Sequence, residues 1–452
     1  MNAPAGGALS PIEHWCRERA ITEVEALMPD MSGVARGKVV PVAAYCRTLG
    51  LNLPEALVLQ TVTGDYPEDQ SAVDPSDRDI VLRADERTIR RVPWAADPTA
   101  QVIHDCFHTD GTPVTTTPRY VLRRVLDLYR EHGWRPIVAP ELEFYLVKRN
   151  ADADYPLEPP EGRSGQAERG RQSYGIDALN EYDPLIDDIY DFCEAQEIEL
   201  GTLSHESGVA QLEINLSHGD PLALADQAFL FKRTVREAAT RHGVYATFMA
   251  KPMEREPGSA MHIHQSVVDA DTGENVFADA NGAMTPLFRA HIGGLQQYLP
   301  AAMSFLAPNV NSYRRITKYM AAPINVQWGI DNRTAGLRVP LGEAPATRVE
   351  NRVAGADANP YLAIAASLAC GLLGMTGGLK PTSAVEGSAY KMPYELPLSL
   401  AESLRTLRSS APLTGMLGER FVGAWNAVKE CELRAFLQVI SSWECEFLLR
   451  SV

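Results

Sequence analysis

The sequence predicts an α+β protein: a small N-terminal domain with a mixed sheet, then a larger domain built on a sheet with one charged face. Three patterns predict it. Short strand and helix patterns alternate through residues 10–112, with no long helix among them. From Thr117 onward, helices open repeatedly on a polar cap followed by proline, at Thr117-Pro118, Asp183-Pro184, Asp220-Pro221, Thr285-Pro286 and Asn359-Pro360. Between those helices, strands alternate apolar residues with carboxylates, imidazoles or guanidiniums.

Taken in order, residues 1–9 read as disordered. Pro11–Arg19 reads as a helix, Ile21–Met28 as a strand, Asp30–Gly37 as a turn and Lys38–Val42 as a second strand. A helix over Ala43–Leu49 precedes strand patterns at Leu57–Val62, Asp79–Arg83 and Ala100–Phe107. Asp110-Gly111 and the threonines before Pro118 mark the boundary, giving domains at 10–112 and 113–452. The first helix of the second domain has Thr117 as N-cap, Pro118 as its first residue and Gly133 after its last turn. Residues 148–175, rich in Gly, Pro and charge, read as a long surface loop, a lid or subunit contact. The C-terminal part is helical, with Ser399 and Glu402 spaced as a capping box and an amphipathic run from Glu419.

The strands carry the chemistry. In Ala139–Val147 the apolar Leu142, Phe144 and Leu146 share one face, and Glu141, Glu143 and Tyr145 the other. A solvated face would accept such a pair of carboxylates, so one strand decides nothing. The pattern recurs: Gln211, Glu213 and Asn215 share a face, as do His262, His264 and Ser266; Arg338 stands alone, and Arg348, Glu350 and Arg352 align. Glu141, Glu143, Glu206, Glu213 and Glu350 with one imidazole, His262, form an oxygen-rich set that suits Mg²⁺ or Mn²⁺ better than zinc. Facing one low-dielectric cavity without cations, those carboxylates would repel one another. Arg315, Arg333, Arg338, Arg348 and Arg352 exceed what such acids need and suit phosphate or free carboxylate. Metal with arginine points to phosphoryl transfer from a nucleotide, and neither a P-loop nor a usable dinucleotide fingerprint is present to hold it.

Composition excludes other classes. The net charge of −16 argues against a nucleic-acid binder. Seven scattered cysteines without a CxxC pattern read as reduced thiols, and the start lacks a charged and apolar leader. The longest apolar run, Tyr361–Met375, is shorter than a bilayer requires. A cytoplasmic protein without a membrane partner is the expectation.

Six strings in order, Pro140-Glu141-Leu142-Glu143-Phe144, His205-Glu206 with Gln211–Ile214, Gly258–His264, Asn311–Arg315, Asp331–Arg333 with Leu337–Pro340, and Arg348–Arg352 with Ala358–Leu362, resemble the class I glutamine synthetase family. The resemblance implies a β-grasp-like N-terminal domain and a catalytic α/β domain on a curved antiparallel sheet. It implies ATP as substrate and two to three Mg²⁺ or Mn²⁺ ions per site. Glu143, Glu206 and Glu213 match the ligands of one metal, and Glu141, His262 and Glu350 those of the other. Gly258, His262, Arg315, Arg333 and Arg352 match substrate-binding positions, His264, Ser266, Arg338 and Arg348 nucleotide positions, and Asp65, Arg333 and Glu350 catalytic ones. The implied assembly is a dodecamer of two hexameric rings, each site closed by the neighbour's N-terminal domain.

Two positions bear on the nucleophile. Ungapped counting places Asp65 where an acid from the neighbouring subunit contacts ammonium, and Ala321 where true glutamine synthetases carry a flap glutamate. Pro257 replaces an asparagine that helps hold glutamate. In these departures the chain resembles the γ-glutamylputrescine and γ-glutamylpolyamine synthetases of polyamine catabolism. That implies ligation of the L-glutamate γ-carboxylate to a primary amine through γ-glutamyl phosphate. An ammonium-using glutamine synthetase and a catalytically silent nitrogen sensor are the alternatives.

Overall fold

The structure, a computed structural model, describes residues 9–152 and 154–452; apart from Leu9, the N-terminal segment expected to be disordered lies outside the described residues. The first elements are α1 (Pro11–Glu18), β1 (Glu23–Pro29), β2 (Ala35–Pro41), α2 (Val42–Thr48), β3 (Gly50–Pro54), β4 (Asp79–Ala84), the two-residue β5 (Arg90–Arg91) and β6 (Thr99–Phe107). They form one sheet in the order β2-β1-β6-β4-β3, with β5 also on β6. The central β1/β6 pair is parallel and the others antiparallel, so the sheet is mixed as expected. β1 serves two cores: Val24 and Ala26 join Ile12, Cys16 and Tyr45, while Leu27 and Met28 join the main core.

One strand assignment fails. Glu55–Leu59 is a 3₁₀ turn where Leu57–Val62 was expected to extend, and the strand lies just before it at Gly50–Pro54. The apolar run Ala56–Leu59 is too short to have a readable period, and here Val58 and Leu59 are buried by a turn. The true strand hid between a glycine and a proline.

The remaining elements are α3 (Pro118–Glu131), β7 (Trp134–Lys148), α4 (Ile176–Asn180), α5 (Asp183–Ala195), β8 (Leu200–His205), β9 (Gln211–Leu216), α6 (Pro221–Arg241), β10 (Val244–Thr247), β11 (Met261–Asp269) and α7 (Pro286–Leu306). They continue with β12 (Trp328–Ile330), β13 (Leu337–Val339), β14 (Val349–Asn351), α8 (Pro360–Gly377), α9 (Leu400–Arg408), α10 (Ala411–Leu417), α11 (Glu419–Leu437) and α12 (Ser442–Leu448). The second sheet runs β12-β13-β14-β11-β7-β9-β8, with β10 also on β7. It is antiparallel except for the parallel β12/β13 pair, so the expected antiparallel sheet is a mixed one.

β7, at 15 residues, is the spine. One edge pairs with β11 over Trp134–Leu142 and then with β10 from Tyr145; the other pairs with β9 over Glu141–Tyr145. Leu142, Phe144 and Leu146 are fully buried in the main core, and α3 and α6 pack against this strand. α8 lies among α3, α6 and α7. It approaches α7 closely through glycine: a Cβ on Gly294 would lie 2.6 Å from the Gly374 Cα. By length and composition α8 is apolar enough to cross a bilayer, but 83% of that window is buried inside the molecule, which makes it a core helix.

Helix starts follow the polar-cap rule with two exceptions. Asp220, Thr285 and Asn359 accept backbone N–H bonds as caps. Thr117 instead turns its hydroxyl to the Val114 carbonyl at 3.0 Å, and the helix expected to begin after Asp183 begins at it, with Tyr182 as cap. The Asn359 amide also donates to the carbonyls of Asp30 and Met31, tying α8 to the end of β1.

A stronger tie is Arg119 on α3, which is 2% exposed. It donates to Asp226 on α6 at 3.0 and 2.8 Å, to Asp105 on β6 at 2.6 Å and to Asp85 at 2.8 Å. The Tyr361 hydroxyl, on α8, donates to Asp226 at 2.6 Å. Three carboxylates around one buried guanidinium leave uncompensated charge if the arginine goes. Arg119→Ala should therefore cost about 3–5 kcal/mol, read as a lower denaturant midpoint; a loss below about 1 kcal/mol would reduce the cluster to surface pairing.

Candidate active site

Strand register brings the charged residues together. Glu141 lies opposite His262 on β11 and Asn215 on β9, and Glu143 opposite Glu213. Glu350 on β14 lies between His264 on β11 and Arg338 on β13. Two groups have ligand atoms all within 4.8 Å of one another: Glu141, His264 and Glu350, and Glu141, Glu213 and His262. The resemblance divides these residues differently: the reach of the side chains groups Glu213 with Glu141 and His262, although its register partner is Glu143, and among the described residues Glu143 and Glu206 stand outside both groups.

Electrostatics in this face run in two directions. Burial, then repulsion from Glu206, pushes the Glu143 carboxyl up to about 8. Burial and the charges of Glu143, Glu141, Glu206 and Glu350 push Glu213 up to about 9, and burial raises Glu206. Burial would also raise Glu141, but bonds from His262 (3.2 Å) and His264 (2.8 Å) outweigh it and hold that carboxyl well below the usual range. Burial, and then the Arg352 charge, lower His262 to about 4, so its ring is neutral at pH 7. With Nδ1 donating to Glu141, the lone pair on Nε2 is buried without a partner among the described residues. Clustered acids needing a countercharge and a bare imidazole nitrogen fit a divalent ion with oxygen ligands and one nitrogen.

The guanidiniums hold this face and each other. Arg338 donates to Glu350 at 2.9 Å and to Asp331, and Arg352 also bonds Glu350. Against the upward push of burial, the charges of Arg352, His262 and His264 bring Glu350 down to about 2. Arg315 is committed to the main chain, donating to the carbonyls of Val353 (2.8 Å) and Arg352 (3.0 Å). The Nε groups of Arg315 and Arg352 are buried without partners among the described residues. Gly258 must be glycine, because a Cβ would lie 2.4 Å from the Ala250 carbonyl and 2.6 Å from the Arg315 Cγ. Arg333 is exposed, and its charge acts on Glu206.

Glu141, His264, Ser266 and Arg348 line a cleft of about 530 Å³ between β7, β9, β11 and the Pro345–Arg348 segment. His264 bridges it, with Nε2 on Glu141 and Nδ1 accepting from Arg348 at 3.1 Å. Asp65 is exposed in a loop where Thr63 donates to it at 2.9 Å; the loop is held to α11 by a bond from Val62 N–H to Glu432. No contact of this chain brings Asp65 to the carboxylate face among the described residues. Ala321 is exposed, with a left-handed φ of 58°.

Two supports were missed in the sequence. Gln211, read as another polar-face residue, donates to Glu143, to the Gly258 carbonyl and to Ser259, joining a candidate metal ligand to a candidate glutamate position. Glu168, in the long loop, accepts from His205 at 3.0 Å and from Ala210 N–H at 2.7 Å, on either side of Glu206. Gln211 was legible as a neighbour of Glu213; nothing in the loop singled out Glu168.

The chain belongs to the glutamine synthetase family: the model of the glutamine synthetase catalytic domain matches residues 115–448. Among its relatives are the γ-glutamylputrescine synthetase PuuA of Escherichia coli strain K12, 38% identical over 95% of this chain and 92% of that one, and the glutamate–isopropylamine ligase of a Pseudomonas species, 34% identical over 81% and 80%. A solved structure of GmaS without ligand superposes with a TM-score of 0.84 at 27% identity, covering 97% of this chain and 99% of that one.

The raised carboxyls determine a pH response. Their protonated forms are favoured by folding, so this contribution is full at acid pH and is lost as pH rises through about 8 to 9. In chelator, the melting temperature should fall between pH 7 and 9 by more than in Mg²⁺ or Mn²⁺, which would balance the ionised acids. Parallel curves with and without the ion would contradict the repulsion.

Proposed function

We infer that this protein is an ATP-dependent ligase that joins the γ-carboxylate of L-glutamate to a primary amine, putrescine or a polyamine, through γ-glutamyl phosphate. The observation that carries the reading is the face of acids, imidazoles and guanidiniums on β7, β9, β11, β13 and β14, in a chain whose flap position is Ala321. In the first step a γ-carboxylate oxygen attacks the γ-phosphorus of ATP and ADP leaves. In the second, the amine nitrogen attacks the acyl carbon, phosphate leaves and the amine gives up a proton.

The roles follow from charge and position. Glu141, Glu143, Glu206, Glu213, His262 and Glu350 would hold two to three Mg²⁺ or Mn²⁺ ions, which supply positive charge to the phosphates and to the carboxylate under attack. Arg338 and Arg348, with His264 and Ser266 along the cleft, serve the nucleotide. Arg352 and Gly258 serve glutamate, with Arg315 holding the main chain at Arg352 and Val353 and offering only its Nε, and Arg333, free of the other guanidiniums' fixed bonds among the described residues, stabilises the phosphoryl group in flight. Asp65, exposed on its own chain, serves the amine at a neighbour's site. That requires a ring, and we propose a dodecamer of two hexamers. The C-terminal end supports assembly: Leu437, Val439, Ile440, Trp443 and Leu449 are all more than half exposed, an apolar surface that a second copy would cover. The scattered, unpaired thiols fit the cytoplasm.

Ala321 directs the amine choice. A carboxylate there would position ammonium and crowd an alkyl chain; a methyl group leaves the space open. Phosphate release with glutamate and ATP should favour putrescine or a longer polyamine over ammonium by about 100-fold in kcat/KM, about 2.7 kcal/mol of transition-state preference. Ala321→Glu should narrow that gap. Ammonium matching every diamine would make the protein a glutamine synthetase, and no turnover with any amine would make it a silent member of the family. Separately, Arg352→Lys should raise the glutamate KM, since an ammonium cannot replace a planar fork; unchanged rate and KM would remove Arg352 from the glutamate site.

A further inference from the structure

The flap beside Ala321 carries an aromatic side chain in a costly conformation. Tyr319 has a φ of 63°, in the left-handed region that glycine occupies without penalty, and its side chain is thrust outward, 72% exposed. Its ring rests on Tyr390 with centroids 5.1 Å apart and planes at 55°. Tyr390 is 7% exposed and lies where the charges of Arg352 and Arg315 act on its hydroxyl. The stack thus runs from the guanidiniums of the proposed glutamate position out to solvent, two residues from Ala321 in the chain.

The lower half of this wall is fixed. The Ala389 carbonyl accepts from Asn325 at 3.0 Å and its N–H donates to Thr334 at 2.8 Å. Glu395 accepts from the Val326 N–H at 3.0 Å and from Gln327 at 2.7 Å. These bonds, made by the chain neighbours of Tyr390 and Tyr394, fix the backbone that carries the two rings, whereas Tyr319 stands on the exposed flap. The flap also places an alkylammonium on an aromatic face: the Lys318 nitrogen lies 5.3 Å from the Tyr394 ring centroid.

We propose that Tyr319, stacked on Tyr390, is a specificity-determining residue that receives the alkyl chain and the non-reacting ammonium of a diamine or polyamine. This rests on the glutamate–amine ligase reading above. The nitrogen that attacks the acyl group must be neutral, but the distal amine of a diamine stays protonated and needs a partner. An aromatic face attracts a cation through its ring electrons and is not neutralised by neighbouring cations. Its breadth also covers a methylene chain, which a carboxylate does not.

The test uses the full-length enzyme with glutamate, ATP and Mg²⁺, comparing wild type with Tyr319→Ala, Tyr319→Phe and Tyr319→Gly. Tyr319→Ala and Tyr319→Gly should each raise the putrescine KM at least 10-fold, with the KM for glutamate and for ATP within twofold of wild type. Tyr319→Phe should stay within threefold of wild type for putrescine, because the ring face and not the hydroxyl is used. Tyr319→Gly should also melt no lower than wild type, since it relieves the left-handed strain, so that its loss is one of recognition and not of folding. A putrescine KM within twofold of wild type in Tyr319→Ala, or equal rises in the KM for all three substrates, overturns the proposal while leaving the ligase reading intact. A wild type that uses ammonium as well as every alkylamine overturns the ligase reading and this proposal together.

Discussion

The pairing of Glu143 with Glu213 across β7 and β9 is the constraint on which the site depends. Directly opposed residues in an antiparallel pair sit roughly 5 Å apart at Cβ, and two ionised carboxylates at that separation repel by about 3 kcal/mol at an effective dielectric of 20. Glu141 is on the same face two residues away, and Glu206 and Glu350 add their charges. No folded chain keeps such a set for stability. The guanidiniums engage one end of the face, through Glu350, and the imidazoles engage Glu141. Glu143, Glu206 and Glu213 lack comparable partners, and the raised carboxyls there record the unmet need for positive charge.

The rest of the fold holds these charges in place. The apolar face of β7 is buried under helices, so the strand cannot slip by one residue without sending Leu142 and Phe144 to the polar side. Arg119 and Asn359 join the first sheet to the helices behind the second. Rigidity on that side contrasts with the exposed flap at Tyr319 and Ala321, where the chain accepts left-handed backbone next to the proposed substrate. The division suits a glutamate–amine ligase, which holds phosphates on a rigid face and admits a second substrate.

How much of this was legible depended on the interaction. Period-two alternation exposed the polar faces of β7, β9, β11, β13 and β14, because one residue's face follows from its neighbour's, but β8, which brings Ser204 level with Glu213, was not read as a strand. The membership of a cluster did not follow, because it depends on how strands are paired and how far their side chains reach along the face: Glu213 is level with Glu143 but sits with Glu141 and His262, and His264 joins Glu141 and Glu350. Local signals also failed where tertiary contacts replaced them. Thr117 carries a cap's side chain but gives its hydroxyl to Val114, and the apolar run at Leu57 is buried by a turn. Glu168 could not be found at all, since a loop residue reaching His205 leaves no periodic trace. Arg315 looked free for substrate, whereas the fold commits its terminal nitrogens to carbonyls and leaves Nε unpartnered.

The central claim is that divalent ions bind among these carboxylates and relieve their repulsion. Its most direct measurement is anomalous diffraction from crystals of the protein soaked in Mn²⁺. The account predicts at least two manganese peaks per chain, each within coordination distance of residues from the set Glu141, Glu143, Glu206, Glu213, His262 and Glu350. Manganese bound elsewhere, with this face holding only water, would contradict it.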